Sequence, residues 1–265
     1  MFLRWRTVSL TCVVFATALT NAFAQIPASS DGKVRAAITE LVAANHVLAR
    51  LNLVDAFGHI TVRDPSNPGH YLMARAIAPA VVTAQDIMEF DLDSNAIDAG
   101  AGSPSFERFI HGEIYKLRPD VNAVVHTHSP NIIPFSVSKT PLKPILHTGA
   151  FLVPAVPIYD PRATVGPSNL LIADQKLGNA LAEALGSNTV VLIRGHGDAV
   201  VAPTIGLAVY RAYFTDLSAK LLLQARLLDG PIKFLEADEA AKANDLRNNG
   251  YIRQWDLWKR ELGGN

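Results

Sequence analysis

The stretch from Asp120 to Pro130, DVNAVVHTHSP, limits the choice of folds more than any other part of the chain. Val121 to Val125 is a short apolar run, which predicts a strand directed into a core, and it ends in His126-Thr127-His128. Successive strand side chains face opposite ways, so His126 and His128 share a face and aim both imidazoles at one point. Two imidazoles so placed can hold a metal ion. The same pair could also be solvated side chains at a strand end, and the choice depends on what else the fold brings there.

Around this strand the chain alternates between helical and strand-like patterns. From Asp31 to Leu51 the apolar residues Val34, Ile38, Leu41, Val42, Val47, Leu48 and Leu51 recur at helical spacing, with His46 read as structural. Phe57 to Arg63, Tyr71 to Met73 and Ile87 to Leu92 read as strands, the last two separated by ARAIAPAVVTAQD. Ser103 to Arg118 predicts a loop and then a helix whose buried stripe is Phe106, Phe109, Ile110 and Ile114. Glu107 and His111 stand one turn apart on it and share a face. An acid there also suits a helix dipole, and His111 reads as a packing or supporting residue rather than a ligand.

Pro130 to Val137 predicts a short helical turn, and the proline-punctuated TPLKPILHTGAFLVPAVPIYDP predicts loops and short strands. Within it His147 reads as a solvated loop histidine, the alternative being a reach into a neighbouring subunit's site. A second amphipathic helix is expected over Asn169 to Leu185, ending at Gly186. Thr189 to Ile193 is a β-branched strand leading to Arg194-Gly195-His196-Gly197, where two glycines permit a tight turn that presents the imidazole. Asp198 to Val201 would complete a hairpin, followed by a long helix over Thr204 to Leu228 and a charged helical tail over Phe234 to Trp258. No repeat, low-complexity tract, domain boundary or glycine-rich nucleotide signature interrupts this order.

Composition matters for what it excludes. With 24 basic and 24 acidic side chains and 49% hydrophobic residues among 265, the chain is balanced and long enough for a sizeable core. Neither nucleic acid nor an anionic membrane is expected as main partner, since both reward a basic surface. Arg4 and Arg6 precede an apolar run from Val8 to Leu19, and Ala22 and Ala24 form an A-x-A pattern. Residues 1–24 are therefore expected to be a signal peptide, with a single domain over residues 25–265, a periplasmic or secreted location and no stable membrane association after cleavage. Cys12, the one cysteine, falls in that leader.

FGHITVRDP, SFERFIH, RPDVNAVVHTHSP and RGHG, in this order and spacing, resemble the class II aldolase/adducin family, with similarity from about Val34 to about Leu228. The resemblance implies an α/β fold, a three-layer α/β/α arrangement around a mixed, largely antiparallel sheet, and a homo-oligomer, commonly a homotetramer. It implies that His126, His128 and His196 bind a divalent metal, zinc or manganese, with Glu107 as a further ligand and acid/base. Gly58, His59 and Ser105 would contact a small-molecule substrate; in the family the positions of His59 and Thr61 are often asparagine and serine. The chemistry implied is C–C cleavage through a stabilised enolate.

Three outcomes follow from the resemblance: aldol cleavage, decarboxylation of a hydroxylated aromatic or heteroaromatic carboxylate, and a non-catalytic adducin-like scaffold. Such scaffolds can dispense with the metal ligands, and here all four are present. The family's sugar-phosphate aldolases carry hydroxyl-rich phosphate loops, whereas this chain has Ala76, Ile77, Ala78, Pro79 and Ala80, and Phe106 in place of a second serine. A non-phosphorylated substrate is therefore expected. Decarboxylation is favoured, because RGHG and the ERFIH helix are similar to the family's hydroxy-aryl and hydroxypyridine dicarboxylate decarboxylases.

Overall fold

The short β-branched runs become strands buried on both faces, and the amphipathic helices cover those faces. In the computed structural model residues 31–97, 102–247 and 250–263 are described; the expected leader lies outside them. The strands are β1 (His59–Arg63), β2 (His70–Ala74), β3 (Ile87–Asp91), β4 (Ala123–Thr127), β5 (Ile158–Tyr159), β6 (Val190–Ile193) and β7 (Gly197–Ala202). They pair in the order β3-β2-β1-β4-β7-β6-β5. Every pairing is antiparallel except β5 with β6, which is parallel.

The helices are α1 (Gly32–Arg50), α2 (Arg108–Leu117), α3 (Ile133–Ser136), α4 (Pro161–Val165), α5 (Gln175–Leu185), α6 (Ile205–Ala225), α7 (Ala237–Arg247) and α8 (Gly250–Leu262). Strand alternation sorts the core into two layers. Ile60, Val62, Ala123, Val125, Val200 and Ala202 point to α1, α6 and α8. Val124, Ala199, Val201, Val191 and Ile193 point the other way, to α2 and α5. The expected three-layer α/β/α arrangement around a mixed, largely antiparallel sheet is thus what forms. Among the described residues no helix is long and apolar enough to cross a membrane.

Three expectations change in ways that bear on the site. The helix expected from Asn169 starts only at Gln175, because the Asp174 side chain accepts from the Leu177 N–H and caps it. Leu170, with φ of 67°, sits in the left-handed region that ends a helical path. The freed residues form a loop whose Ile172 N–H reaches the site. Phe106 is not part of a buried stripe: α2 begins at Arg108 with Glu107 as its cap, so Phe106 precedes the helix and is 75% exposed. The charged tail is two helices, α7 and α8, and the second buries Trp255 and Trp258 against the α1/α6 layer.

Candidate metal centre and substrate cavity

β4 carries His126 on the α2 face and delivers His128 just past the strand end. The β6–β7 turn brings His196 alongside. Gly195 there has φ of 65°, and a side chain at Gly197 would overlap the Thr127 carbonyl, so the turn can press against β4 only with glycine. The start of α2 supplies Glu107. Ligand atoms of Glu107, His126, His128 and His196 all lie within 4.8 Å of one another. The Nε2 atoms of His126 and His128 are 3.0 Å apart, as are those of His128 and His196. Glu107 Oε2 is 3.6 Å from His126 Nε2 and 3.5 Å from His196 Nε2. Ligands about 2.0–2.2 Å from one ion stand roughly 3.0–3.6 Å from each other, so the spacing fits a divalent cation.

Tautomers support this fit. His126 Nδ1 donates to the Asp198 carbonyl at 2.8 Å and His196 Nδ1 to the Leu170 carbonyl at 3.0 Å. A carbonyl can only accept, so both rings carry their proton on Nδ1 and turn a bare Nε2 inward. His128 Nδ1 faces the Asp55 carboxylate at 3.4 Å, with the same consequence. Burial, followed by its neighbours His126 and His196, lowers His128 to about 4, which keeps it neutral. Three converging lone pairs and a carboxylate form a donor set for a cation, each imidazole oriented by an outer partner.

Burial alone would raise the Glu107 carboxyl, but its place against the His126 and His196 rings outweighs that and holds it well below the usual carboxylate range. Burial would lower His196, and the same carboxylate instead raises it. The second oxygen of Glu107, Oε1, accepts from the Ile172 N–H at 3.0 Å. Glu107 is thus an ionised carboxylate fixed through Oε1, with Oε2 turned towards the His126 and His196 Nε2 atoms.

A cavity of about 650 Å³ opens beside these groups, with Glu107, His128 and His196 on its wall. Gly58, His59 and Ser105, expected from the resemblance to contact substrate, are on its wall. Gly58 is required for packing, since a Cβ there would come within 2.6 Å of Val54. The Ser105 hydroxyl accepts from the Glu107 N–H at 3.3 Å and so steadies the turn into α2. Phe57, Ile77, Phe106 and Leu171 make the wall largely apolar, and residues 76–80 bring it no hydroxyl. Arg75 is its one lysine or arginine among the described residues, and its Nε is bound to Asp86 Oδ1 at 2.7 Å.

Three further histidines stand apart from this group. His46 bonds the Val82 carbonyl at 2.8 Å, His147 is exposed, and His111 is buried against His59 instead of joining the ligand set. Asp55, Leu170, Ile172 and Asp198, which hold the ligands, were not singled out from sequence. Three of the four act through backbone groups that every residue carries, so no side-chain signal marks them.

Asp198 also has a consequence for stability. Its carboxyl is fully buried, with Oδ1 accepting from Thr127 Oγ1 at 2.6 Å and Oδ2 without a partner among the described residues. Burial, with Asp216 nearby, raises it to about 7. A raised folded-state value means stability is full below the unfolded value near 3.8 and is lost as pH climbs towards 7. The ceiling on that loss is about 4 kcal/mol. In thermal melts the wild type should lose ground to Asp198→Asn between pH 5 and pH 8. A constant difference between the two proteins over that range would contradict the assignment.

Fold and ligand set together define a class: an α/β protein with a three-histidine, one-carboxylate centre at the end of its central strands. The model of the class II aldolase and adducin N-terminal domain matches residues 39–223, and the chain belongs to that family. It is 33% identical to the decarboxylase tropJ of Talaromyces stipitatus over 82% of this chain and 90% of that one. It is also 33% identical to the 3,4-dihydroxyphthalate decarboxylase of Arthrobacter keyseri, over 82% of this chain and 88% of that one. Among solved structures, an aldolase II superfamily protein from Pseudomonas syringae superposes with a TM-score of 0.74 at 22% identity, covering 88% of this chain and 94% of that chain.

Proposed function

We propose that the protein is a divalent-metal-dependent carbon–carbon lyase that decarboxylates a non-phosphorylated hydroxy-aromatic or hydroxy-heteroaromatic carboxylate. The observation that carries this reading is the cavity itself: polar at the Glu107/histidine end, with a single cation among the described residues, Arg75, and a mostly apolar wall that includes Phe57 and Phe106. A flat ring matches such a lining, whereas a phosphate, with roughly two negative charges, would call for hydroxyls, N–H groups or cations. The two decarboxylases at 33% identity support the same reaction class.

In this reading His126, His128 and His196 would hold the ion, zinc or manganese suiting such donors, with Glu107 completing the set before substrate binds and freed as acid/base when the substrate's own oxygens take its place. The bound ion supplies Lewis-acid stabilisation of the electron pair released when the C–C bond breaks. The chain's own groups do the rest. Arg75, steadied by Asp86, meets a substrate carboxylate, while the aromatic wall orients the ring and keeps water away. Glu107 starts ionised, so it first takes the proton of the ring hydroxyl on Oε2. It returns that proton to the ring carbon as CO2 departs, and the product phenolate is reprotonated from water. The working form is proposed to be a homotetramer, as is common in the family.

The test is a panel of ortho-hydroxy aromatic carboxylates and sugar phosphates, each supplied with manganese, zinc, cobalt or nickel. CO2 release from at least one hydroxy-aromatic acid is expected. Aldehyde release from a sugar phosphate, with no decarboxylation anywhere in the panel, would replace this reading with aldol cleavage.

A further inference from the structure

One buried chain of side chains ends at the cavity and takes no part in the scheme above. Tyr115 OH lies 2.8 Å from Thr61 Oγ1, Thr61 Oγ1 lies 2.8 Å from His111 Nδ1, and His111 Nε2 lies 2.8 Å from His59 Nδ1. All four residues are buried. His59 lines the cavity, and its remaining nitrogen, Nε2, is buried with no hydrogen-bond partner among the described residues. Sheet register places the chain beside the metal centre: His59 pairs with His126 across β1 and β4, their ring centroids 5.0 Å apart.

Hydrogen-bond accounting sets the direction of this chain. A ring nitrogen that accepts a hydrogen bond is bare, and an imidazole keeps a proton on at least one of its two nitrogens. The Tyr115 hydroxyl has two acceptors to choose from, Thr61 Oγ1 at 2.8 Å and the Asn122 carbonyl at 3.5 Å, and the nearer bond is much the stronger. If Tyr115 donates to Thr61, the acceptor left for the buried Thr61 proton among its hydrogen bonds is His111 Nδ1. His111 then carries its proton on Nε2 and donates to His59 Nδ1, which leaves the His59 proton on Nε2. Reversing every bond would leave the Tyr115 proton on the long contact. A buried polar group without a partner is uncommon and calls for an explanation, and a substrate atom would supply one.

We infer that His59 Nε2–H is a fixed donor to an anionic oxygen of the substrate, a carboxylate or phenolate, and that Tyr115, Thr61 and His111 are positioning residues that lock its tautomer. The inference rests on the decarboxylase reading only for the identity of that oxygen. A locked donor favours a substrate that presents an acceptor beside the metal centre and disfavours one that presents a hydroxyl proton there.

Two readouts test it. In 15N spectra of histidine-labelled, metal-free protein, with His59 assigned from the His59→Gln spectrum, His59 should be protonated on Nε2 and bare on Nδ1. Thr61→Val removes the hydroxyl at nearly constant shape and should produce a mixture of tautomers. With the manganese enzyme and 2,3-dihydroxybenzoate or the best acid of the panel, kcat/KM should fall about tenfold, the scale of one lost hydrogen bond, at unchanged metal content. Thr61→Ser should restore both readouts, and Tyr115→Phe, a second break in the chain, should act in the same direction if Thr61→Val folds poorly. A wild-type His59 protonated on Nδ1, or Thr61→Val and Tyr115→Phe enzymes that match wild type in both readouts, would overturn the inference. Lack of turnover across the panel would instead overturn the decarboxylase reading, and the spectra would then decide the tautomer by themselves.

Discussion

A protein carrying both His126→Ala and His196→Ala is expected to purify without bound metal and without lyase activity. The two rings approach the same point as His128 from β4 and from the β6–β7 turn, and each is held by a backbone carbonyl that leaves its Nε2 free. Removing both leaves one imidazole and one carboxylate. Loss of an outer partner alone typically weakens metal binding about 10–100-fold, so loss of two direct ligands should exceed about 10⁴-fold. The fold should survive, because neither ring is part of the two apolar core layers. Elemental analysis of the purified variant beside circular dichroism is the measurement. Stoichiometric metal in the double variant would exclude this ligand assignment.

Glu107→Gln is expected to separate binding from chemistry. Glutamine keeps the shape and can still accept the Ile172 N–H through its carbonyl oxygen, so the loop over the site should stay in place. Three imidazoles remain to hold the ion. What disappears is the group that takes and returns a proton, a role usually worth about 10²–10⁴-fold in rate. We therefore expect kcat to fall by at least about 100-fold while most of the metal is retained. If kcat of the variant stayed within about tenfold of wild type, Glu107 would be a ligand and no more.

The elements that the sequence revealed are those whose signal is local. The helical spacing of Ile38, Leu41 and Leu48 marks α1, and all three are buried. The HTH strand and the glycine-flanked His196 were readable because side-chain alternation and tight-turn chemistry act over a few residues. Boundaries were less visible. Where α5 starts depends on the Asp174 cap competing with a helical pattern that extends upstream of it. Phe106 looked like core by its apolar character, yet its place before the first turn of α2 exposes it at the cavity.

The sequence by itself determined the α/β class, the two histidines that share a face of β4, and the lack of any side-chain hydroxyl over residues 76–80. It also supplied the third histidine and the carboxylate, though only through the combined motifs. The tertiary structure decided the rest: which groups orient each ring, that Glu107 is held through Oε1 by the Ile172 N–H, and that His59 ends a buried chain running through His111 and Thr61 to Tyr115. The physical reason is range and type of contact. His126 meets the Asp198 carbonyl and His196 the Leu170 carbonyl across folded elements. A backbone carbonyl has the same chemistry whatever residue bears it, so only the packing of strand, turn and loop can determine which one receives the proton.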